Sequence, residues 1–171
     1  MGPAKKISLD EAKPAKLFYF VANVMVYRAS DRKWLLLKRH EREKVHPGKY
    51  AMPGGKLEHK DLDINIPTRM NDDVIDFENA LEDLLHREVK EEAGIEIKEP
   101  FLYVNSVAFI RPDGIPVILL KFAAEYKSGE IELEEDAFTD HAWVSSEETK
   151  KLDTIKGIPE EIAEASKLLA W

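Results

Sequence analysis

The chain contains no cysteine. That excludes disulfides, thiolate zinc sites and a cysteine nucleophile, and it fits a reducing compartment. Long apolar runs are missing too. None approaches the roughly 20 residues that a membrane helix needs, and the first residues lack the apolar core of a signal peptide. A soluble, cytoplasmic protein with no membrane partner is the expectation. Positive charge is in deficit: 25 Lys and Arg stand against 33 Asp and Glu, for a net charge of −8. A field of that sign disfavours a nucleic-acid polymer as partner. It leaves small polyanions open, because a divalent cation inverts the local sign. What is present is ordinary for a globular protein: 171 residues, 44% of them hydrophobic, enough for one domain with its own core.

Residues 1–16 are polar with two prolines and read as a flexible arm, leaving a single domain over 17–171. LFYFVANVMVYRA and WLLLKRH are rich in aliphatic and aromatic residues and read as a strand hairpin. A loop follows, punctuated by Pro47, Gly48, Pro53, Gly54 and Gly55, with a short extended piece at Tyr50 to Met52. Residues 59–76 show no clear period and read as an insertion. Helical spacing runs from Asp72 or Asp73 to Ala93, with Gly94 as the stop. PFLYVNSVAFIR and IPVILLKFAAEY read as two further strands and HAWVS as a short one. SEETKKLD and IPEEIAEASKLLAW predict two closing helices, the second with Pro159 in its first turn.

The predicted helix holds the first chemical clue. Phe77, Leu81, Leu85, Val89 and Ala93 form an i, i+4 ladder that marks the buried stripe. At about 100° per residue, with Leu85 at zero, Glu92 falls near −20°, Glu88 near −60° and Glu91 near −120°. A solvated acidic face would lie opposite the ladder. Here Glu88 and Glu92 lie along its edge, where carboxylates are costly and like charges repel. A hard divalent cation relieves both penalties. Arg87, one turn before Glu91, is placed to pair with it. The second clue is Gly54 and Gly55, which let backbone approach a metal or a phosphate closely.

Together, GGKLE and HREVKEEAGI resemble the Nudix box, written G-x5-E-x7-R-E-U-x-E-E-x-G-U with U a bulky aliphatic residue. Arg87, Glu88, Val89, Glu91, Glu92, Gly94 and Ile95 match its second half in full, and Gly55 stands as its first glycine. One departure is plain: Gly55 and Arg87 are about eighteen residues further apart than the box allows. Counted back from Arg87, the first glutamate of the box falls on Asn79, with Glu78 beside it.

The resemblance implies an α/β fold: an α/β/α sandwich with a mixed central sheet, one long box helix and a C-terminal helix. It implies a pyrophosphohydrolase that cleaves a nucleoside diphosphate linked to another group, such as a nucleoside triphosphate, a dinucleotide or a nucleotide sugar. The implied cofactor is Mg2+ or Mn2+, held by Glu88, Glu91, Glu92 and the carbonyl of Gly54. Arg87 would orient the glutamates, and the base would be Glu88 or a late-loop carboxylate, for which Glu135 in ELEEDAF is favoured over Glu134 and Asp136. Arg39, Lys49 and Gly55 are the candidates for substrate phosphate. A homodimer is an expectation because many relatives dimerise. The rival within the fold is a non-catalytic nucleotide sensor, against which the intact REVKEE argues. An isopentenyl-diphosphate isomerase is disfavoured by the missing cysteine.

Overall fold

In the computed structural model, which describes residues 18–169, the chain forms nine strands and two α-helices. The first hairpin joins β1 (Tyr19–Arg28) to β2 (Lys33–Arg39). The two strands pair only beside the turn, at Tyr27↔Trp34 and Arg28↔Lys33, and then diverge. The loop with the paired glycines fills the gap. Its β3 (Tyr50–Ala51) pairs with β2, and its β4 (Gly54–Lys56) pairs with β1 at Val21, Ala22 and Asn23. The Val24 N–H donates to the carbonyl of Pro53 at 2.9 Å, closing the wedge. The glycine loop is therefore part of the sheet.

The residues read as an insertion form a separate two-stranded ribbon, β5 (Arg69–Asn71) and β6 (Val74–Asp76). Helix α1 follows at Ala80–Ala93. It starts later than the periodicity predicts. Asp72 and Asp73 sit between the ribbon strands, and Asn79, at φ 58°, is the true N-cap. An apolar pair at Val74 and Ile75 in extended chain misled the helical reading. Gly94 ends the helix as expected, donating its N–H to the Lys90 carbonyl at 3.0 Å.

The long strands β7 (Glu96–Ile110) and β8 (Pro116–Ser128) come next, antiparallel, and β8 runs parallel to β1 over nine residue pairs, from Tyr19↔Val117 to Tyr27↔Glu125. β9 (Phe138–Val144) pairs with β2. SEETKKLD gives only a short 3-10 turn, Glu148–Lys151, and the closing helix α2 spans Ile158–Leu168 with Pro159 in its first turn.

Period-two alternation sorts the strand residues onto two faces. Ala22, Val24, Val26, Leu35, Leu37 and Ala124 pack with Leu84, Leu85, Val89 and Ala93 of α1. Met25, Trp34, Leu36 and Ala123 pack with Ile158, Ile162 and Ala165 of α2. A mixed sheet between two helices is the α/β/α sandwich expected. On the α2 side, buried Lys121 is held by an ion pair to Glu161. Among the described residues, no helix is long and apolar enough to cross a membrane. The proposed arm at 1–16 lies outside the described residues.

Candidate active site

Helix α1 lies along the glycine loop, and two of its side chains, Glu92 and Glu88, meet it. The Glu92 carboxylate accepts the Gly54 N–H at 3.0 Å. Gly54 has φ +152°, and a Cβ at that position would stand 2.3 Å from the Ala22 carbonyl oxygen. Gly55 faces Glu88. A Cβ there would lie 2.3 Å from the Glu88 Cδ and Oε1, well inside contact distance, so the absent side chain is the seat of that carboxylate. The two glycines thus serve different needs: the first the strand geometry, the second the acid.

Arg87 organises the rest. Its guanidinium pairs with Glu88 at 2.9 Å, with Glu91 at 2.9 Å and with Asp61 at 3.2 Å. Asp61 is the residue that sequence reasoning missed. Counted forward from Gly55, the G-x5-E of the box lands on Asp61. It sits in the 3-10 turn His59–Asp61, and its carboxylate accepts the Glu58 N–H at 2.8 Å. The extra chain therefore enters after Asp61. Counting back from Arg87 crossed the insertion and fell on Asn79, which is the helix cap. Glu78 is tied to Arg69 at 2.8 Å, in the ribbon.

Burial shapes the electrostatics. Glu92 has its pKa pushed up from 4.5 to about 8, first by burial, then by Glu88 and Glu134, against the Gly54 N–H and Arg39. Glu88 is raised by burial, with Arg87 opposing and Glu91 and Asp61 adding to the rise. Glu91 is turned to Arg87 and its side chain is 56% exposed. Among the described residues no three His, Asp or Glu side chains form a ready-made cage for a metal. Two convergent carboxylates at a glycine loop still fit magnesium or manganese. Such ions take one or two carboxylates and fill the remaining positions with water, carbonyl or phosphate oxygens.

Glu134, rather than the expected Glu135, adjoins the site: its N–H donates to the Glu92 carbonyl at 3.2 Å, and its charge acts on the Glu92 carboxylate. Both residues are exposed, and Glu135 lies one residue further along the turn that the Glu134 carbonyl closes with Ala137 and Phe138. Arg39 lies near enough to act on Glu92, although its guanidinium also binds Glu43 at 2.5 Å and the Val45 carbonyl at 2.9 Å. Lys49 is drawn away, to Asp153 at 2.5 Å.

A carboxylate pair seated on a glycine loop and steadied by one arginine is the arrangement the box pattern specifies. The NUDIX domain model matches residues 19–165. The chain belongs to the Nudix family. It is a hydrolase acting on pyrophosphate bonds. Solved structures share the fold. The MutT protein from Methanosarcina mazei Go1 superposes with a TM-score of 0.67 at 21% identity, over 93% of this chain and 100% of that one. A C. elegans Ap4A hydrolase in a binary complex gives 0.60 at 19%, over 89% and 98%. The NUDIX domain of Shewanella oneidensis NrtR, complexed with ADP ribose, gives 0.62 at 16%, over 96% and 94%. No curated relative matches the sequence.

Proposed function

We infer that this Nudix protein is a divalent-cation-dependent hydrolase of a nucleoside diphosphate linked to a further group, cleaving the phosphoanhydride bond between two phosphorus atoms. The observation that carries the reading is Glu92. Its carboxylate is raised to about 8 among two further acids, with one backbone N–H as its hydrogen-bond donor. A binding site for a cation explains why such a group sits there; a structural role does not. Two of the fold neighbours add support, since Ap4A and ADP ribose are both nucleoside diphosphates carrying a further group.

Glu88 and Glu92, with the Gly54 carbonyl, are the residues that would hold magnesium or manganese. Bound there, the ion supplies neutralisation of the diphosphate charge and stabilises charge developing at phosphorus. Arg87 keeps Glu88 and Glu91 oriented. Arg39 offers the cation nearest Glu92 for phosphate. Water adds to one phosphorus, the bridging P–O bond breaks, and the products are a nucleoside monophosphate and the phosphorylated partner group. Glu134 takes the proton from the water. It adjoins Glu92, whereas Glu88 already shares its carboxylate with Arg87.

The test is a substrate panel. Purified protein with magnesium or manganese is given nucleoside triphosphates, dinucleotides and nucleotide sugars, and phosphate and pyrophosphate release are scored separately. Metal-dependent turnover of at least one class is expected. Folded, metal-binding protein that turns over none of them would overturn the reading in favour of a nucleotide sensor.

A further inference from the structure

The insertion builds a cavity that the family box does not contain. It measures about 530 Å3 and lies between Lys60 and Asp61, the inserted Leu62, Asp63, Ile66 and Thr68 with Phe77 and Glu78, and the face of α1 that carries Ala80, Asp83, Leu84 and Arg87. That is within the roughly 300–1,000 Å3 typical of small-molecule sites. Arg87 and Asp61 belong both to this wall and to the glutamate cluster, so the cavity adjoins the reacting centre. Without the residues between Asp61 and Ala80, half of its wall is gone.

The lining restricts what can enter. Its two cations are already paired: Lys60 with Glu58 at 2.7 Å, and Arg87 with Asp61, Glu88 and Glu91. Neither is left to bind another phosphate. The floor is apolar, from Leu62, Ile66, Phe77 and Leu84, and acids stand around it at Asp63, Glu78 and Asp83. Carboxylates accept from hydroxyls and repel phosphate. Phe77 offers a flat apolar surface for the C–H face of a ring. A polyphosphate tail is therefore disfavoured, and an uncharged ring rich in hydroxyls is favoured.

We propose that this cavity, created by the insertion between Asp61 and α1, holds the non-nucleotide group of the substrate, and that this group is a sugar. The enzyme is then selective for nucleoside diphosphate sugars over nucleoside triphosphates. This rests on the hydrolase reading above and deepens it.

The test compares kcat/KM for a nucleoside diphosphate hexose and for the matching nucleoside triphosphate, in wild type and three variants. Ile66, which is 76% exposed, is changed to Arg. That variant keeps the fold and adds an unpaired cation to the wall. Phe77→Ala removes the ring surface, and Val74→Asp, on the ribbon outside the cavity, is the control. Wild type is expected to prefer the sugar nucleotide. The preference should fall about tenfold or more in both cavity variants, mainly through KM, and hold in the control. A wild type that hydrolyses the triphosphate better, or an Ile66→Arg preference unchanged from wild type, would overturn the inference while leaving the hydrolase reading intact. No turnover of either substrate by wild type would overturn both.

Discussion

Magnesium should stabilise this protein more as pH rises, and Glu92 sets the size of the effect. Its folded-state pKa stands at about 8 against the ordinary 4.5. A carboxyl raised in the folded state contributes stability that is complete below about pH 4.5 and is lost as pH climbs through 8. At about 1.4 kcal/mol per unit, the metal-free protein loses 5 kcal/mol at most over that range. Glu88 moves in the same direction. Carboxylates held low by Arg28, Lys56 and Lys127, at Asp31, Glu58 and Glu96, have finished gaining stability below that window. His46 is held low by burial, with Arg39 and Lys49 adding, and works the other way below about pH 6.5. It cancels when magnesium and chelator are compared at the same pH. A cation binds the ionised pair in the folded state and offsets the loss. About 3 kcal/mol of that falls between pH 5.5 and 8, so with roughly 2–4 °C per kcal/mol for a domain of this size, the shift in Tm on adding saturating magnesium should widen by about 6–12 °C between those pH values. Calorimetric melts in magnesium and in chelator read this directly. A magnesium shift equal at both pH values would refute the placement of the cation on these carboxylates.

Other outcomes follow from the same geometry. Gly55→Ala puts a methyl 2.3 Å from the Glu88 carboxylate. Melting should show a loss of about 1–3 kcal/mol, while kcat falls about 100-fold because Glu88 is displaced. Wild-type turnover in that variant would mean that Glu88 is not held by the loop. Glu134→Gln should lower kcat at least tenfold with KM little changed, as expected when a base worth about 100-fold or more is removed; Glu135→Gln should stay within about twofold. The reverse order in steady-state kinetics would restore Glu135. Breaking the buried Lys121 and Glu161 pair with Glu161→Ala should cost about 3–5 kcal/mol in urea denaturation. The double change Lys121→Met, Glu161→Leu should recover most of it.

Much of this was legible in the sequence, and the failures have causes. VANVMV and WLLL announce themselves as strands by their apolar content, but WLLL is buried on both faces and shows no alternation; the residues alone gave a mixed α/β chain, and the sandwich was what the box resemblance implied. Glu88 and Glu92 face the glycine loop as their helical angles predict, since both lie well inside α1, while Glu91 at the wider angle turns to Arg87 and solvent. The helix start was misread because Val74 and Ile75 fit a helical pattern as well as an extended one, and only pairing with Met70 and Asn71 decides between them. Asp61 was missed for a counting reason. A chain insertion breaks spacing on one side only, and forward counting from Gly55 survives it. Glu134 against Glu135 was not decidable from spacing, since both are exposed acids of one irregular loop and only the backbone bond from the Glu134 N–H to the Glu92 carbonyl singles one out.

The most direct test of the account is Glu92→Gln, read twice. An uncharged amide of the same shape removes the penalty of burying the charge and removes the cation's ligand together. The variant should melt no lower than wild type in chelator at pH 8, lose most of its stabilisation by magnesium, and fall in metal-dependent hydrolysis by about 100-fold or more. Wild-type turnover at saturating magnesium in that variant would contradict the central claim that Glu92 holds the catalytic cation.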